Sequence, residues 1–308
     1  MTTESSQPSE KSIVVEFSDS LADAVALAGQ SIVQVSARRR VGATGLIWSA
    51  DGLIVTADHV IQRVEEIVIG LPDGRDIAAR LIGRDPGTDI AVLKVDAGGL
   101  TPVLPSETEP KVGHLVLALG RPFGGSPMAT MGIVSATDGA WRTWRGGRIE
   151  GVVRSDVNLY PGFSGGPLID GSGRAIGMNS SALARGLAVT VPYAVLNRVA
   201  QALTSQGKVR HGYLGIAAQP VGLPDSLRQR TGLAAEAGLL LVGVEPGSPA
   251  DRAGLLLGDI LVAFAGAPTG SLEALNDRLG PESVGTQQVA KIVRGGQVMD
   301  ITVTVGER

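Results

Sequence analysis

From Ser12 to about Gln206 the apolar runs are short. Leu46-Ile47-Trp48, Leu53-Ile54-Val55-Thr56-Ala57, Glu66-Ile67-Val68-Ile69, Ile90-Ala91-Val92-Leu93-Lys94-Val95 and Leu115-Val116-Leu117-Ala118-Leu119 are each cut off by Gly, Asp or Pro. Runs of this length at close spacing fit strands, and their regular turn signals predict a sandwich or barrel. The 43 glycines and the 3% aromatic content agree with a turn-rich, mostly β chain. Two helices interrupt the pattern. One is predicted from Asp19 to about Ala28, capped by Ser18 or Ser20. The other runs from Pro192 to about Ser205, with Val195, Val199 and Leu203 on one face.

Gly207 stops the second helix, and Lys208-Val209-Arg210-His211 reads as a polar connector. This predicts three parts: a flexible tail over 1–11, one domain over 12–206 and a smaller one over 207–308. The last again alternates strands with turns and carries one helix, Ser271 to Leu279, with Leu272, Leu275 and Leu279 on one face.

Charge and composition exclude several functions. With 27 basic and 30 acidic residues the net charge is -3, a balance that gives no electrostatic case for nucleic acid, which usually needs a basic face. The absence of Cys removes disulfides and Cys-based metal or redox sites. The opening residues MTTESSQPSE lack a basic and an apolar signal region, and no run reaches the roughly 18–20 apolar residues of a membrane span. The expectation is a soluble, cytoplasmic chain, or a periplasmic or otherwise exported one if the N-terminus has been processed or truncated.

The segment Gly162-Phe163-Ser164-Gly165-Gly166 stands out. Glycines on both sides let a hydroxyl stand out of a tight turn, with the N–H groups of Gly162 and Ser164 aimed at one point as an oxyanion hole. The alternative is a plain Gly-rich turn. The segment also matches the G-x-S-x-G elbow of α/β-hydrolases. That elbow runs directly into a helix and precedes its histidine. Here Ser164 is followed by Gly165-Gly166-Pro167 and a strand-like Leu168-Ile169, and the only later histidine is His211 in the connector.

A serine nucleophile needs a base, and the base needs a carboxylate to orient it. Three histidines are available. His114 reads as structural, within a strand. His59 ends the run Leu53–Ala57 and opens a short helical pattern, where it is either base or structural. Of the nearby carboxylates, Asp58 adjoins His59 and points elsewhere, and Asp85 belongs to a turn. Asp89 begins a buried-looking strand, where a charge needs a partner. The order His59, Asp89, Ser164 is that of chymotrypsin. Three scattered histidines lack zinc-ligand spacing, so no metal or other cofactor is expected.

At these residues the chain resembles the HtrA (Deg) family of trypsin-like serine proteases with PDZ domains. The motifs are TADHV around His59, GTDIAVLKV around Asp89, YPGFSGGPL around Ser164, LALGRPFG at 117–124, GIVSA at 132–136 and GKVRHGYLGI at 207–216. The resemblance implies a mostly β fold: a chymotrypsin-like double β-barrel followed by a smaller α+β PDZ domain. It further implies ATP-independent quality control, with misfolded or unfolded polypeptides as substrates and assembly as a homotrimer. Val14-Val15-Glu16-Phe17 is the candidate trimer contact, Phe17 being either its anchor or a core aromatic. Phe163 and Tyr160 replace the family's usual asparagines, so the state of the oxyanion hole at rest is open. Ala140 to Arg148, basic and aromatic, falls where the family has a sensor loop, or is a solvated loop with Trp141 and Trp144 packed on the barrel.

The resemblance also implies a specificity pocket with neutral Asn158 at its base, substrate backbone pairing along Met178-Asn179-Ser180, and Ala188 in the wall. Cleavage after small or medium aliphatic residues is expected. In the PDZ domain, Leu214-Gly215-Ile216 fits a loop for a peptide's terminal carboxylate, and Leu272 and Leu275 face the peptide groove or lie in the core. The competing reading is a peptide-binding holdase chaperone with little or no proteolysis.

Overall fold

The computed structural model describes residues 12–38, 41–143, 148–184, 188–210 and 212–307. These fall into two compact units, one ending at Val209 and the other beginning at Arg210. The expected tail over 1–11, His211, and Trp144 to Gly147 of the expected sensor loop lie outside the described residues.

The first unit opens with helix α1 (Ile13–Gly29). Strands β1 (Ile32–Ser36), β2 (Ala43–Ile47), β3 (Leu53–Ala57), β4 (Ile67–Gly70), β5 (Asp76–Asp85) and β6 (Ile90–Val95) follow. They close into an antiparallel barrel in the order β1-β2-β3-β6-β5-β4. Next come β7 (Leu115–Gly120) and β8 (Met128–Asp138), then the short pair β9 (Trp141–Arg142) and β10 (Arg148–Ile149). After these lie β11 (Val152–Ser155), β12 (Pro167–Ile169), β13 (Ala175–Ser180) and β14 (Ala188–Pro192). A second closed barrel runs β11-β14-β13-β12-β7-β8. Together these make the chymotrypsin-like double barrel.

Closure explains why several strands are apolar along their length rather than alternating. Every residue of β2 and β13 is buried, because one face fills a barrel and the other is covered by the neighbouring barrel or a helix. Helix α2 (Tyr193–Gln206) ends the unit, burying Val195, Leu196, Val199, Ala200 and Leu203. Gly207 caps it at φ 72°, and its N–H reaches Leu203 O at 2.9 Å.

The second unit has the PDZ fold. Its strands are β15 (Gly212–Tyr213), β16 (Ile216–Gly222), β17 (Ala237–Val244), β18 (Ile260–Phe264), β19 (Ala267–Pro268), β20 (Gln287–Arg294), β21 (Gln297–Thr304) and β22 (Gly306–Glu307). The main sheet runs β16-β17-β18-β20-β21. Helices α3 (Asp225–Thr231), α4 (Pro249–Ala253) and α5 (Leu272–Asn276) accompany it. Its core holds Leu239, Leu241, Phe264, Leu275, Ile292 and Val303.

Three local expectations are corrected. Helix α1 starts at Ile13 rather than Asp19, and Ser12 precedes it without a side-chain cap. The β-branched Ile13-Val14-Val15 suggests a strand, but such residues cost a helix only a few tenths of a kcal/mol each. His114 is not within a strand: it sits in the exposed turn before β7, where its Nδ1 accepts the Lys111 N–H at 3.3 Å. Helix α5 stops at Asn276, so Leu279 lies beyond it.

Candidate active site

Asp89 sits at the mouth of the first barrel, just before β6, and is buried. Its backbone is left-handed, at φ 58°, one of two such non-glycine residues among those described. The turn leading to it is tied by Asp85, whose carboxylate accepts the Gly87 N–H at 3.1 Å and the Thr88 hydroxyl at 2.7 Å. The turn delivers the Asp89 carboxylate to four donor contacts. Oδ1 accepts the His59 backbone N–H at 2.9 Å and lies 3.0 Å from the His59 ring Nδ1. Oδ2 lies 2.8 Å from that same Nδ1 and accepts the Ser180 hydroxyl. A buried carboxylate so surrounded is compensated as an anion.

His59 stands on the single 3-10 turn Asp58–Val60 at the end of β3. Its side chain is 18% exposed. With Nδ1–H donated to a carboxylate, Nε2 is the acceptor nitrogen. Asp58 turns the other way and pairs with Arg84.

Two consecutive tight turns share Phe163, and Ser164 is the second residue of the later one. Phe163 N–H reaches Tyr160 O at 3.0 Å, with Pro161 second and Gly162 third at φ 94°. Gly166 N–H reaches Phe163 O at 2.9 Å, with Gly165 third at φ 87°. A positive φ confined to the third residue defines type II turns, and glycine is what that position takes. Neither glycine has room for a Cβ. At Gly162 it would lie 2.4 Å from Pro122 Cβ, and at Gly165 1.9 Å from Thr44 O.

Around the nucleophile candidate, the N–H groups of Phe163, Gly165 and Gly166 are taken by Tyr160, Asn179 and Phe163 carbonyls. Those of Gly162 and Ser164 have no protein partner among the described residues, although both residues are buried. Phe163 is fully buried in the second barrel and meets the Tyr160 ring edge-on at 5.7 Å. The two departures from the family pattern thus pack on each other. The Ser164 hydroxyl lies 2.9 Å from that of Ser181 and accepts the Ser181 N–H at 3.2 Å. No hydrogen bond joins it to His59 among the described residues.

The pocket expectations fare unevenly. Ala188 is half-buried and packs with Leu159 on the second barrel's core. Asn158 is exposed, and its carbonyl accepts the Thr130 hydroxyl at 2.9 Å, so it does not floor a buried pocket. Met178, Asn179 and Ser180 are fully buried. Asn179 exchanges backbone bonds with Gly165 and Gly166, at 2.9 and 2.8 Å, and cannot pair with substrate. The expectation failed because β13 is an internal strand, flanked by β12 and β14. Sequence reasoning missed Ser180 and Ser181 as partners of Asp89 and Ser164; two adjacent serines leave no signal of that kind.

Of the expected sensor segment, β9 pairs with β10, Trp141 packs on the core, and the Thr143 hydroxyl reaches Gly87 O at 2.8 Å, two residues before Asp89. Among the described residues no group of His, Asp and Glu could hold a metal ion, and no helix is long and apolar enough to cross a membrane.

In the second unit, Gly215 has φ 78°, and a Cβ there would strike Ser248 at 2.2 Å. The carbonyls of Leu214 and Gly215 accept from Ala250 and Glu245, while their N–H groups have no protein partner among the described residues. Ile216 begins β16, the strand at the sheet's edge. Leu272 is 40% exposed, but Leu275 is a core residue and does not face a groove.

The trypsin-like peptidase domain family matches residues 43–178, and the PDZ domain family matches 240–303. A protein of Halomonas elongata named as a probable periplasmic serine endoprotease, DegP-like, is 39% identical over 280 residues, 88% of this chain and 58% of that one. The crystal structure of the serine endoprotease from Yersinia pestis is 30% identical, with a TM-score of 0.75 over 94% of this chain and 98% of that one. The HtrA-type protease AlgW with a decapeptide is 28% identical, with a TM-score of 0.76 over 94% and 98%. The chain spans little more than half the length of the curated relatives it matches. These relatives are named periplasmic, which overturns the expected cytoplasmic location. In a chain covering about half of its relatives, the opening residues carry no information on compartment.

Proposed function

The chain belongs to the HtrA-type, DegP-like serine endoprotease family, and on that premise we propose that it hydrolyses peptide bonds in unfolded or misfolded polypeptides. The observation that carries this reading is the buried Asp89 carboxylate bound to His59 Nδ1, with Ser164 held as the second residue of the type II turn Phe163 to Gly166. Ser164 Oγ attacks the peptide carbonyl as its proton passes to His59 Nε2. Asp89 holds the imidazole in the required tautomer, and Ser180 holds Asp89. The oxyanion formed on the carbonyl is received by the unpartnered amides of Gly162 and Ser164. Loss of one such donor costs about 10²–10³ in rate. His59 then protonates the departing amine, and water repeats the sequence to release the acid and restore Ser164. Water is the only co-reactant, so no ATP is consumed.

Phe163, seated in the core, supports an oxyanion hole formed at rest. The Ser181 contact describes a resting hydroxyl that must turn toward His59 when substrate arrives. Ala188 and Leu159 suit small or medium aliphatic side chains before the cleaved bond. In the second unit, the free amides of Leu214 and Gly215 receive a peptide's terminal carboxylate, β16 pairs with its backbone, and Leu272 lines the groove. The relatives' names support a periplasmic setting.

The test is casein digestion and fluorophosphonate labelling of wild type and Ser164→Ala. Cleavage and labelling in wild type, with both lost in the variant, are expected. A wild type that neither labels nor cleaves, yet holds unfolded casein in solution, would replace this reading with a holdase chaperone.

A further inference from the structure

We propose that Thr44, on the first barrel, is a positioning residue for the oxyanion turn on the second; this rests on the reading of Ser164 as nucleophile. Thr44 lies in β2 and is completely buried. Its hydroxyl accepts the Arg121 backbone N–H at 2.8 Å and donates to Gly162 O at 2.7 Å. Its own N–H donates to Ser164 O at 3.2 Å, and its carbonyl accepts the Thr56 hydroxyl at 2.7 Å.

A hydroxyl has one proton to give. With Arg121 N–H occupying a lone pair, that proton goes to Gly162. One residue therefore takes the carbonyls of both Gly162 and Ser164. The amides of these same two residues are the ones left without protein partners. Thr44 pins the segment by its carbonyl side and leaves its amide side for a substrate oxygen.

Close packing removes slack from this arrangement. The Cβ positions of Gly162 and Gly165 fall on Pro122, Gly42 and Thr44 atoms at 1.9 to 2.6 Å, so backbone of the two barrels meets directly. The position of the turn is thus handed over by β2. The chain of bonds continues away from the site. The Arg121 guanidinium, itself buried, donates from Nη2 to Gly29 O at 2.7 Å, and Gly29 is the last residue of α1. The end of α1, Arg121, Thr44 and Gly162 form one line of hydrogen bonds.

Thr44→Val keeps the shape and removes the hydroxyl, whereas Thr44→Ser keeps the hydroxyl. Steady-state casein hydrolysis, the rate of fluorophosphonate labelling and Tm are compared. Thr44→Val is expected to lower kcat and labelling about tenfold or more, because a misplaced catalytic group costs rate rather than affinity. KM stays near that of wild type, and Thr44→Ser restores both rates. If Thr44→Val does not fold, Thr44→Ala loses the same hydroxyl without adding a methyl against Gly162 and gives the same readings. A hydroxyl-less variant labelling at the wild-type rate, or a serine variant as impaired as the valine one, overturns the proposal alone. A wild type that resists labelling overturns the Ser164 reading and this proposal together.

Discussion

Asp89 adopts a conformation that most side chains avoid. A left-handed non-glycine residue costs on the order of 1 kcal/mol, less for Asp and Asn, whose short polar side chains tolerate it. Here the strain turns the carboxylate toward His59 and Ser180. Asp89→Asn is therefore expected to fold with a Tm close to wild type, since Asn accepts the same φ. It loses about 10⁴-fold in kcat, because an amide no longer holds the histidine in one tautomer. Thermal melts beside casein turnover check this, and a variant with both Tm and turnover unchanged would remove Asp89 from the mechanism. His59, Asp89 and Ser164 were legible because each lies in its own short pattern: a strand end, a charge entering an apolar run, a serine among glycines. Ser180 and Thr44 were not legible. They matter through bonds to residues 91 and 118 positions away, and nothing local marks a Ser or Thr for such a role. Asn158, Met178 and Asn179 were misread because counting along the chain does not tell which strand edge faces substrate.

Among the elements, the hairpin joining β12 to β13 carries the clearest electrostatic consequence. Burial pushes the Asp170 carboxyl up, but the Ser106 and Ser172 hydroxyls and the Arg174 and Ser172 amides together hold it below its ordinary value. The Ser106 hydroxyl lies at 2.6 Å from one oxygen; the other accepts Ser172 Oγ at 2.6 Å and its N–H at 2.9 Å. A depressed carboxyl contributes stability above its unfolded pKa and loses it as pH falls through its folded one. Tm should therefore drop on the acid side in wild type, below about pH 4. Asp170→Asn should be less stable at neutral pH and show a shallower acid decline; parallel Tm-against-pH curves for the two would refute this. Helix α2 was legible to within a residue or two because Pro192, the apolar face and Gly207 all agree. Helix α1 was not, because its first turn is β-branched and uncapped. Helix α4 had a signal that went unread: Ser248 before Pro249, with the Ser248 hydroxyl accepting the Asp251 N–H at 3.2 Å.

At the scale of the whole molecule, each unit has its own buried core, one through the barrels and one around Leu239, Phe264 and Ile292. The glycine after α2 lies close to where the units divide, since a capped helix followed by polar residues is a natural place for one domain to end. The start of α1 is different: it ends in no core at all. Ile13 is 83% exposed, and Phe17 is 46% exposed and not the core aromatic that was one of its two readings. Burying such a side chain fully is worth about 1.5–3 kcal/mol. A ring of three chains would realise that gain on every copy. The expected outcome is that wild type sediments at three times the monomer mass and that Phe17→Asp shifts toward monomer. Phe and Asp differ by only a few tenths of a kcal/mol in helix propensity, so α1 itself should persist, and continued fluorophosphonate labelling of Ser164 would show the barrels intact. Because α1 ends on the Arg121–Thr44 line to Gly162, the dissociated variant should also label more slowly than the trimer, and recover as protein concentration is raised. A wild type that is monomeric at micromolar concentration rejects the trimer. A Phe17→Asp monomer labelling at the trimer's rate leaves the trimer standing but cuts the link between α1 and the oxyanion turn.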